Sequence, residues 1–124
     1  MALTTAGLNF LAQAAVGQGA AFNSTNARIG VGDGSAAFST AQTNLQGTNT
    51  LRKAMDSGYP VLAAPKITFK STFGQSEANF NWSEWAIFNA ATGGVMLNRV
   101  VENNGTKLSN QTWVLEVEVT FALG

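Results

Sequence analysis

Apolar residues near the start of the chain recur at the spacing of a helix. Four of them lie three or four positions apart: Leu8, Leu11, Ala12 and Ala15. Thr4 or Thr5 can cap such a helix, and Gly17 can end it. We therefore predict a helix over residues 4–16, with these apolar residues on one face.

In the second half of the chain, apolar and polar residues alternate, which is the period of a half-buried strand. Residues 66–73 place Ile67, Phe69 and Phe73 on one face. Residues 112–123 alternate most regularly, and we predict that six of their side chains point inward: Trp113, Leu115, Val117, Val119, Phe121 and Leu123. A shift of one residue would expose all six, so the register is well specified.

The aromatic segment 80–88 and the apolar segment 95–101 are joined by a glycine-containing turn at 91–94. Two strands joined in this way predict a β-hairpin. The hairpin places the densest aromatic cluster of the chain next to a second apolar strand.

The first half of the chain carries weaker strand signals. Residues 27–31 predict a short strand that enters a glycine-rich turn at 32–34. Residues 51–55 fit either a short strand or one helical turn. Residues 61–64 lie between two prolines and fit an edge strand or a connector.

Together these elements predict a mainly β fold, an antiparallel sandwich or barrel-like domain with one N-terminal helix. We expect a single domain over residues 1–124, with its β elements in residues 27–123, because no repeat or linker divides the chain. Two segments of small and polar residues, 17–26 and 35–50, lack periodicity. We predict that they act as arms that become ordered only when a partner binds.

The residue inventory excludes most catalytic and metal-binding chemistry. The 124 residues include no histidine and no cysteine, which rules out histidine-based triads, cysteine nucleophiles, zinc sites of Cys or His, and disulfides. We therefore expect no enzymatic activity, no metal and no cofactor. Seven basic and seven acidic residues give zero net charge, which disfavours nucleic acid as a partner because phosphate binding needs a basic excess.

Charged residues make up 11% of the chain, whereas a typical soluble domain has about 25%. Charge largely keeps monomer surfaces apart, so we expect other subunits, including copies of this chain, to cover part of the surface. Residues 1–22 lack the basic start and the continuous apolar run of a signal peptide or membrane span. We therefore expect synthesis in the cytoplasm and no membrane partner.

The glycine-rich stretch 30–34 is superficially similar to a phosphate-binding loop. It lacks the Gly-Lys-Ser/Thr ending of a P-loop and the βαβ context of a dinucleotide fold, so we interpret it as a tight turn. Asp33 within this stretch is a poor cation ligand on its own, because the regularly spaced carboxylates of a calcium loop are missing.

Glu84 lies close to two tryptophans, Trp82 and Trp85. A carboxylate beside aromatic rings can donate a proton in a glycosidase, but that reaction needs a second, facing carboxylate, which the sequence does not indicate. We favour a structural role in which Glu84 pairs with Arg99 across the hairpin or accepts backbone N–H groups. Trp82, Trp85 and Phe88 fit either a sugar-stacking platform or the middle of a core or interface.

Several segments are informative through their order along the chain: Leu3–Leu8, Ile29–Gly34, the region of Leu45 and Arg52, Asn81–Ala90, and Gly93–Arg99. This order resembles a family of small tailed-bacteriophage virion proteins and, more distantly, the N-terminal attachment domain of phage tail-collar fibres. In that domain a helix and a Val-Gly-Asp/Thr-Gly turn precede an acidic residue, a Gly or Ala, an Ile or Leu, a Phe and a turn. The matching residues here are Glu84, Ala86, Ile87, Phe88 and Gly93. Ala86 departs from the pattern, in which Gly is common.

The resemblance implies a non-enzymatic structural protein of the virion, assembled in the host cytoplasm and bound to other virion proteins. We expect a tail or baseplate component or a fibre-attachment adaptor, since no fibre shaft follows Gly124. The alternative is a capsid cement protein on the head. A remote alternative is a carbohydrate-binding module that uses Trp82 and Trp85. The interface or structural candidates are Asp33, Arg52, Trp82, Glu84, Trp85, Phe88 and Arg99.

Overall fold

One helix and seven strands make up the regular structure of residues 2–123, the part of the chain that this computed structural model describes. The elements in chain order are α1 (Thr5–Ala15), β1 (Arg28–Gly32), β2 (Thr50–Ala54), β3 (Val61–Ala63), β4 (Lys66–Phe73), β5 (Glu84–Phe88), β6 (Met96–Val101) and β7 (Trp113–Thr120). They form two antiparallel sheets, a four-stranded one in the order β2-β1-β5-β6 and a three-stranded one in the order β3-β4-β7. The predicted mainly β sandwich with an N-terminal helix is confirmed, and within residues 2–123 the strands do not close into a barrel.

The main hydrophobic core lies between the two sheets. Ile29, Val31 and Ile87 point into it from the four-stranded sheet, and Phe69 and Val119 point into it from the three-stranded sheet. All five side chains are fully buried. Because side chains alternate between the faces of a strand, each sheet contributes every second residue to this layer. Burial of each such side chain stabilises the fold by about 1.5–3 kcal/mol.

The two regularly alternating segments form the long pair β4 and β7, each eight residues long. Their predicted inward faces are confirmed, except that Leu123 is fully exposed. The reason is that β7 ends at Thr120, which lies opposite Lys66, the first residue of β4. Beyond that pair only Phe121 continues the ladder, through its N–H to the Pro65 carbonyl at 3.1 Å.

Helix α1 lies within its predicted range and is attached directly to the four-stranded sheet. Thr4 caps it, because its side-chain oxygen accepts a hydrogen bond from the Gly7 N–H at 2.9 Å. The Thr4 N–H in turn donates to the Leu97 carbonyl of β6 at 3.1 Å. The same residue therefore begins the helix and fixes its position.

The face that α1 buries is different from the predicted apolar stripe. Gly7 and Phe10 are buried, whereas Leu8 is 58% exposed. A Cβ atom on Gly7 would run into the Leu97 carbonyl oxygen, so glycine lets the helix backbone lie close to β6 and determines which side faces inward. Three of the four residues of the predicted apolar stripe are exposed to solvent: Leu8, Ala12 and Ala15.

Strands β5 and β6 form the predicted hairpin. A β-bulge between Ile87 and Phe88 shifts its register, and the Asn98 side-chain oxygen accepts the Ile87 N–H there at 3.2 Å. Residues 80–83, which we predicted as part of the strand, lie outside it. Most of their backbone hydrogen bonds join them to the segment that follows β6, residues 102–107, while the Ser83 N–H donates to the Gly32 carbonyl at 2.8 Å.

The two short elements of the first half are both edge strands. β2 borders the four-stranded sheet, and its pairing with β1 decides between the strand and the helical turn that the sequence left open. β3 borders the three-stranded sheet, which is one of the two roles expected of a segment between prolines.

Contacts within the chain hold both segments that we predicted as free arms. Residues 35–49 cross the outer side of the four-stranded sheet, where Leu45 is buried in a second apolar cluster. In the segment 17–26, Phe22 packs edge-on against Phe10, with ring centroids 4.9 Å apart. The prediction that these segments become ordered only on a partner is therefore wrong, since each already has an anchor in its own chain.

Candidate functional site

Most of the candidate residues gather on the outer face, by which we mean the side of the four-stranded sheet that points away from the main core. The candidates on or beside it are Asp33, Arg52, Glu84, Phe88 and Arg99. Strand register explains part of this grouping. One row across β2, β1, β5 and β6 consists of Arg52, Gly30, Ala86 and Arg99. The small residues in the middle of that row leave space for the segment 35–49 and for the long side chains at either end.

At the centre of the outer face, Glu84 and Arg99 form a fully buried ion pair. The Arg99 Nε–H donates to Glu84 Oε1 at 2.7 Å, and both side chains are 0% exposed. This confirms the pairing that we predicted across the hairpin. A buried pair of this kind is stable only when further hydrogen bonds satisfy each charge.

The Glu84 carboxylate obtains those further hydrogen bonds from backbone N–H groups. Its Oε2 accepts from Gly34 at 3.0 Å and from Gly47 at 2.7 Å, and its Oε1 accepts from Gln46 at 2.8 Å. The predicted alternative role, accepting backbone N–H groups, is therefore also confirmed. One carboxylate therefore joins β5 to Gly34, which follows β1, and to the C-terminal end of the segment 35–49, which we call the covering segment because it lies over the outer face.

The glycines around Glu84 are required by close approach. A Cβ atom on Gly32 or Gly34 would run into the Glu84 carboxylate, and one on Gly47 would run into the Asp33 carboxylate. The interpretation of the glycine-rich stretch 30–34 as a tight turn is wrong, because residues 30–32 are the end of β1, paired with β2 and β5, and the Asp33 N–H continues toward the Asn49 carbonyl. The Gly34 N–H of this stretch serves a carboxylate of the same chain.

Arg99 holds the other end of the covering segment. Its Nη1 donates to the Ala36 carbonyl at 2.9 Å and to the Gln42 side-chain oxygen at 3.2 Å. The buried Nη2 has no hydrogen-bond partner among residues 2–123. Arg99 and Glu84 together therefore fix the segment 35–49 at both ends.

Asp33, the residue after β1, connects the chain to Asn49 beside this pair. Its carboxylate accepts the Asn49 N–H at 3.0 Å and the Asn49 side-chain amide at 2.8 Å. These hydrogen bonds, the side-chain one first, lower the pKa of the Asp33 carboxyl from its ordinary value. The arrangement uses Asp33 as a backbone tie and not as a metal ligand.

Arg52 lies over the ring of Phe88, with its guanidinium carbon 3.5 Å from the ring centroid. Its Nη1 donates to the carbonyls of Ala90 at 3.0 Å and Gly93 at 2.9 Å, and its Nη2 donates to the Asn44 side-chain oxygen at 3.3 Å. Burial lowers the pKa of the Arg52 guanidinium from its ordinary value. Arg52 thus connects the β5–β6 turn to the covering segment.

Trp82 and Trp85 are not part of the outer face. Trp82 is 2% exposed in the main core, where its Nε1–H donates to the Ala78 carbonyl at 2.9 Å. It packs edge-on against Phe73 and Trp113, at centroid distances of 4.8 Å and 4.9 Å. Trp85 packs partly buried against the same core. The sugar-stacking interpretation is therefore wrong for Trp82, because its ring is not accessible.

Sequence reasoning missed a cleft beside β7. It has a volume of about 450 Å³, and its lining includes Trp113, Glu102, Asn104 and Thr112. We assigned Trp113 to the core because it belongs to the inward-facing set of β7. The one signal in the sequence was its position at the first residue of a strand, next to polar residues and shortly after an Asn-Gly turn.

Glu84, Asp33, Arg52 and Arg99 all bond to residues of the segment 35–49 and hold it on the sheet; we call this set of contacts the outer-face lock. The Glu84 carboxylate is surrounded by donors of its own chain and has no exposed surface. Within residues 2–123 there is no group of three or more acidic residues placed to hold a metal ion. Nor does this part of the chain form a helix with the length and apolar character required to span a membrane.

Comparisons of this chain with known protein families, with curated proteins and with solved structures find no match.

Proposed function

We propose that this chain is a non-enzymatic structural subunit of a bacteriophage virion, a component of the tail or baseplate or an adaptor for fibre attachment. It acts through many contacts with other virion proteins and with copies of itself. Its expected location is the virion, after assembly in the host cytoplasm. The function rests on the surface of the sandwich, and the outer-face lock supplies a rigid frame for that surface.

The observation that carries the proposal is the free edge of β7. This strand is eight residues long, pairs with β4 on one side and lies at the border of its sheet. Monomeric proteins blunt such edges with lysine, proline or a bulge. β7 has no lysine, no proline and no bulge: its sequence is WVLEVEVT, and its register with β4 is unbroken. Glu116 and Glu118 are its only charged residues. A free edge of this length suits pairing with a strand of a neighbouring subunit.

The charge distribution supports the same function. Of the seven basic and seven acidic residues, three are buried, namely Glu84, Arg99 and Lys107. The exterior therefore carries even fewer charges than the composition indicates. Large apolar side chains are also exposed, at Leu8, Val16, Val61, Leu62, Val101, Leu108, Val114 and Leu123. A surface with few charges and many apolar groups favours association.

The motif order supports the phage assignment. The segments that resemble the tail-collar attachment domain contain Gly34, Arg52, Glu84, Phe88 and Arg99, which build the outer-face lock. These residues hold the segment 35–49 on the sheet, so the segments that carry the resemblance are also the ones that build the frame of this chain.

The edge can be tested with a matched pair of variants. Val114 on β7 and Leu108 in the preceding loop are each 53% exposed. Val114→Lys places a charge at the free edge, whereas Leu108→Lys adds the same charge away from it. In sedimentation velocity over a concentration series, we expect the wild-type chain and Leu108→Lys to associate and Val114→Lys to associate more weakly.

Imaging of intact particles tests the location. Density for this chain in the tail or baseplate supports the proposal, and density on the head replaces it by the capsid cement alternative. The proposal fails if the purified chain stays monomeric at high concentration and is also absent from the particle.

A further inference from the structure

The cleft beside β7 combines an aromatic surface with polar groups that have no internal partner. Trp113 is partly buried at its wall, and Glu102, Asn104 and Thr112 are exposed around it. In the neighbouring segments, the side chains that form hydrogen bonds within the chain are those of Asn81, Asn103 and Thr106. Within residues 2–123 the side chains of Glu102, Asn104 and Thr112 therefore remain available to a ligand.

The backbone that carries these groups is firmly held. The N–H of Glu102 donates to the Ser83 carbonyl at 2.9 Å, and the N–H of Asn104 donates to the Trp82 carbonyl at 2.7 Å. The ring of Trp113 packs edge-on against the buried ring of Trp82, which also lines the cleft, at a centroid distance of 4.9 Å and an interplanar angle of 74°. A site whose backbone is already ordered loses less entropy when a ligand enters than one whose backbone must first be ordered.

The chemistry of the cleft selects one class of ligand. A flat indole surface accommodates the apolar face of a sugar ring, and a carboxylate, an amide and a hydroxyl together offer both donors and acceptors for sugar hydroxyls. The volume of about 450 Å³ lies in the usual range for small-ligand sites. The lining contains Glu102 and no basic residue, so a phosphate, a uronic acid or a sialic acid would meet a like charge.

From this geometry we infer that the cleft binds a neutral saccharide, with Trp113 as the stacking surface and with Glu102, Asn104 and Thr112 as hydrogen-bonding groups. The site is separate from Trp85 and from the outer face. The inference is argued from the cleft and not from the virion assignment, although Val114 and Leu115 of β7 also line the cleft.

The test uses the full chain, labelled with nitrogen-15, because its three tryptophans give separate indole N–H signals in NMR spectra. The compounds added are three neutral trisaccharides, triacetylchitotriose, maltotriose and mannotriose, and one acidic trisaccharide, trigalacturonic acid. We expect at least one neutral trisaccharide to shift the indole signal of Trp113 and the side-chain amide signal of Asn104 in a saturable manner. We expect the acidic compound to leave both signals unchanged.

Variants at exposed positions connect the binding to the cleft without disturbing the core. Asn104→Ala and Thr112→Val are each expected to weaken binding about tenfold, the factor for one lost hydrogen bond. Asn110→Ala is the matched control, because Asn110 is exposed and does not line the cleft. Glu102→Gln removes the negative charge and is expected to let the acidic trisaccharide bind.

The inference is overturned if no neutral trisaccharide gives a saturable shift up to its solubility limit. It is also overturned if the shifts appear at Trp85 and not at Trp113 or Trp82, which both line the cleft, or if Asn104→Ala and Thr112→Val bind as tightly as Asn110→Ala. Circular dichroism of each variant shows that the fold is retained. A negative result would leave the proposed assembly function standing, because that function depends on the β7 edge and is read by sedimentation.

Discussion

Glu84 and Arg99 show how a charged pair can be used in a protein interior. Removing two charges from water is unfavourable, and their mutual attraction offsets this only when the remaining donors and acceptors are satisfied. Here Glu84 receives three backbone N–H groups in addition to the Arg99 Nε–H, whereas the Arg99 Nη2 has no partner among residues 2–123. The pair therefore acts as a specific fastening for the segment 35–49, where an apolar pair would fill the space without fixing any backbone group.

Replacing Glu84 by glutamine tests this fastening. Glu84→Gln keeps the size of the side chain but leaves the Arg99 charge buried without a counter-ion, so we expect a loss of about 3–5 kcal/mol in the free energy of unfolding. Urea denaturation followed by circular dichroism measures it. The control is Glu116→Gln, an exposed carboxylate of β7, for which we expect a change below about 1 kcal/mol. Equal losses in the two variants would contradict a special role for the buried pair.

Glu77 introduces a pH dependence at a different place. Its carboxylate lies 2.6 Å from the Lys53 ammonium and accepts the Gly74 N–H at 2.8 Å. These contacts, first the hydrogen bond from Lys53, lower the pKa of Glu77 below 4.5. Because the folded-state pKa is depressed, the contribution of Glu77 to stability is present above the unfolded-state pKa and is lost as the pH falls through the folded-state value.

We therefore expect Glu77→Gln to unfold at a lower temperature than the wild type at pH 7, and the gap to close as the pH is lowered through 4.5 and below. The contribution is at most about 1 kcal/mol, because both side chains are partly exposed. Thermal unfolding of the two proteins over this pH range measures the gap. A gap that stays constant down to pH 2 would show that the carboxylate charge is not its cause.

At the scale of elements, the position of α1 depends on one missing side chain. Gly7 lies where a Cβ atom would meet the Leu97 carbonyl oxygen. In an isolated helix, Gly→Ala is favourable by about 1 kcal/mol. Here the same change forces the helix away from β6, so we expect Gly7→Ala to destabilise the fold by about 1–3 kcal/mol.

Asn9→Ala provides the comparison, because Asn9 is exposed on the same helix and we expect its replacement to be neutral or slightly stabilising. Urea denaturation of both variants measures the difference, and hydrogen exchange at the amides of α1 locates it. A stabilised Gly7→Ala would mean that helix propensity outweighs the contact with β6.

How far each element was predictable follows from the kind of pattern it leaves. β4 and β7 alternate because one face meets the core, so their inward faces could be read directly. The Glu84–Arg99 pair could be predicted because a hairpin places its strands side by side. The buried face of α1 could not, since the contact at Gly7 is with a backbone carbonyl distant in sequence. The backbone donors of Gln46 and Gly47 leave no pattern of side chains at all.

At the scale of the whole molecule, the two sheets are covered differently. The four-stranded sheet is buried on both sides, by the main core and by the segment 35–49. The three-stranded sheet packs against the core on one side, and its other side carries exposed residues such as Glu116 and Glu118. The free β7 edge and the cleft at Trp113 belong to the more open sheet, where contacts with other molecules can form without disturbing the lock.

A shared core has a consequence for unfolding. Ile29 and Ile87 from one sheet and Phe69 and Val119 from the other belong to one buried cluster, so neither sheet keeps its apolar face covered when the other is lost. We therefore expect residues 1–124 to behave as one domain and to unfold in a single transition, with a calorimetric enthalpy of about 85 kcal/mol near 60 °C that equals the van't Hoff value.

The Glu84→Gln variant makes this expectation stringent, because the substitution lies in the four-stranded sheet while Trp113 reports on the three-stranded one. If the two sheets are coupled through the core, the indole N–H signals of Trp113 on β7 and of Trp85 on β5 in NMR spectra will be lost together at a lower temperature. A three-stranded sheet that melts at its original temperature after the lock is broken would separate the two sheets energetically. In that case the β7 edge would be supported by the three-stranded sheet alone, and the outer-face lock would not contribute.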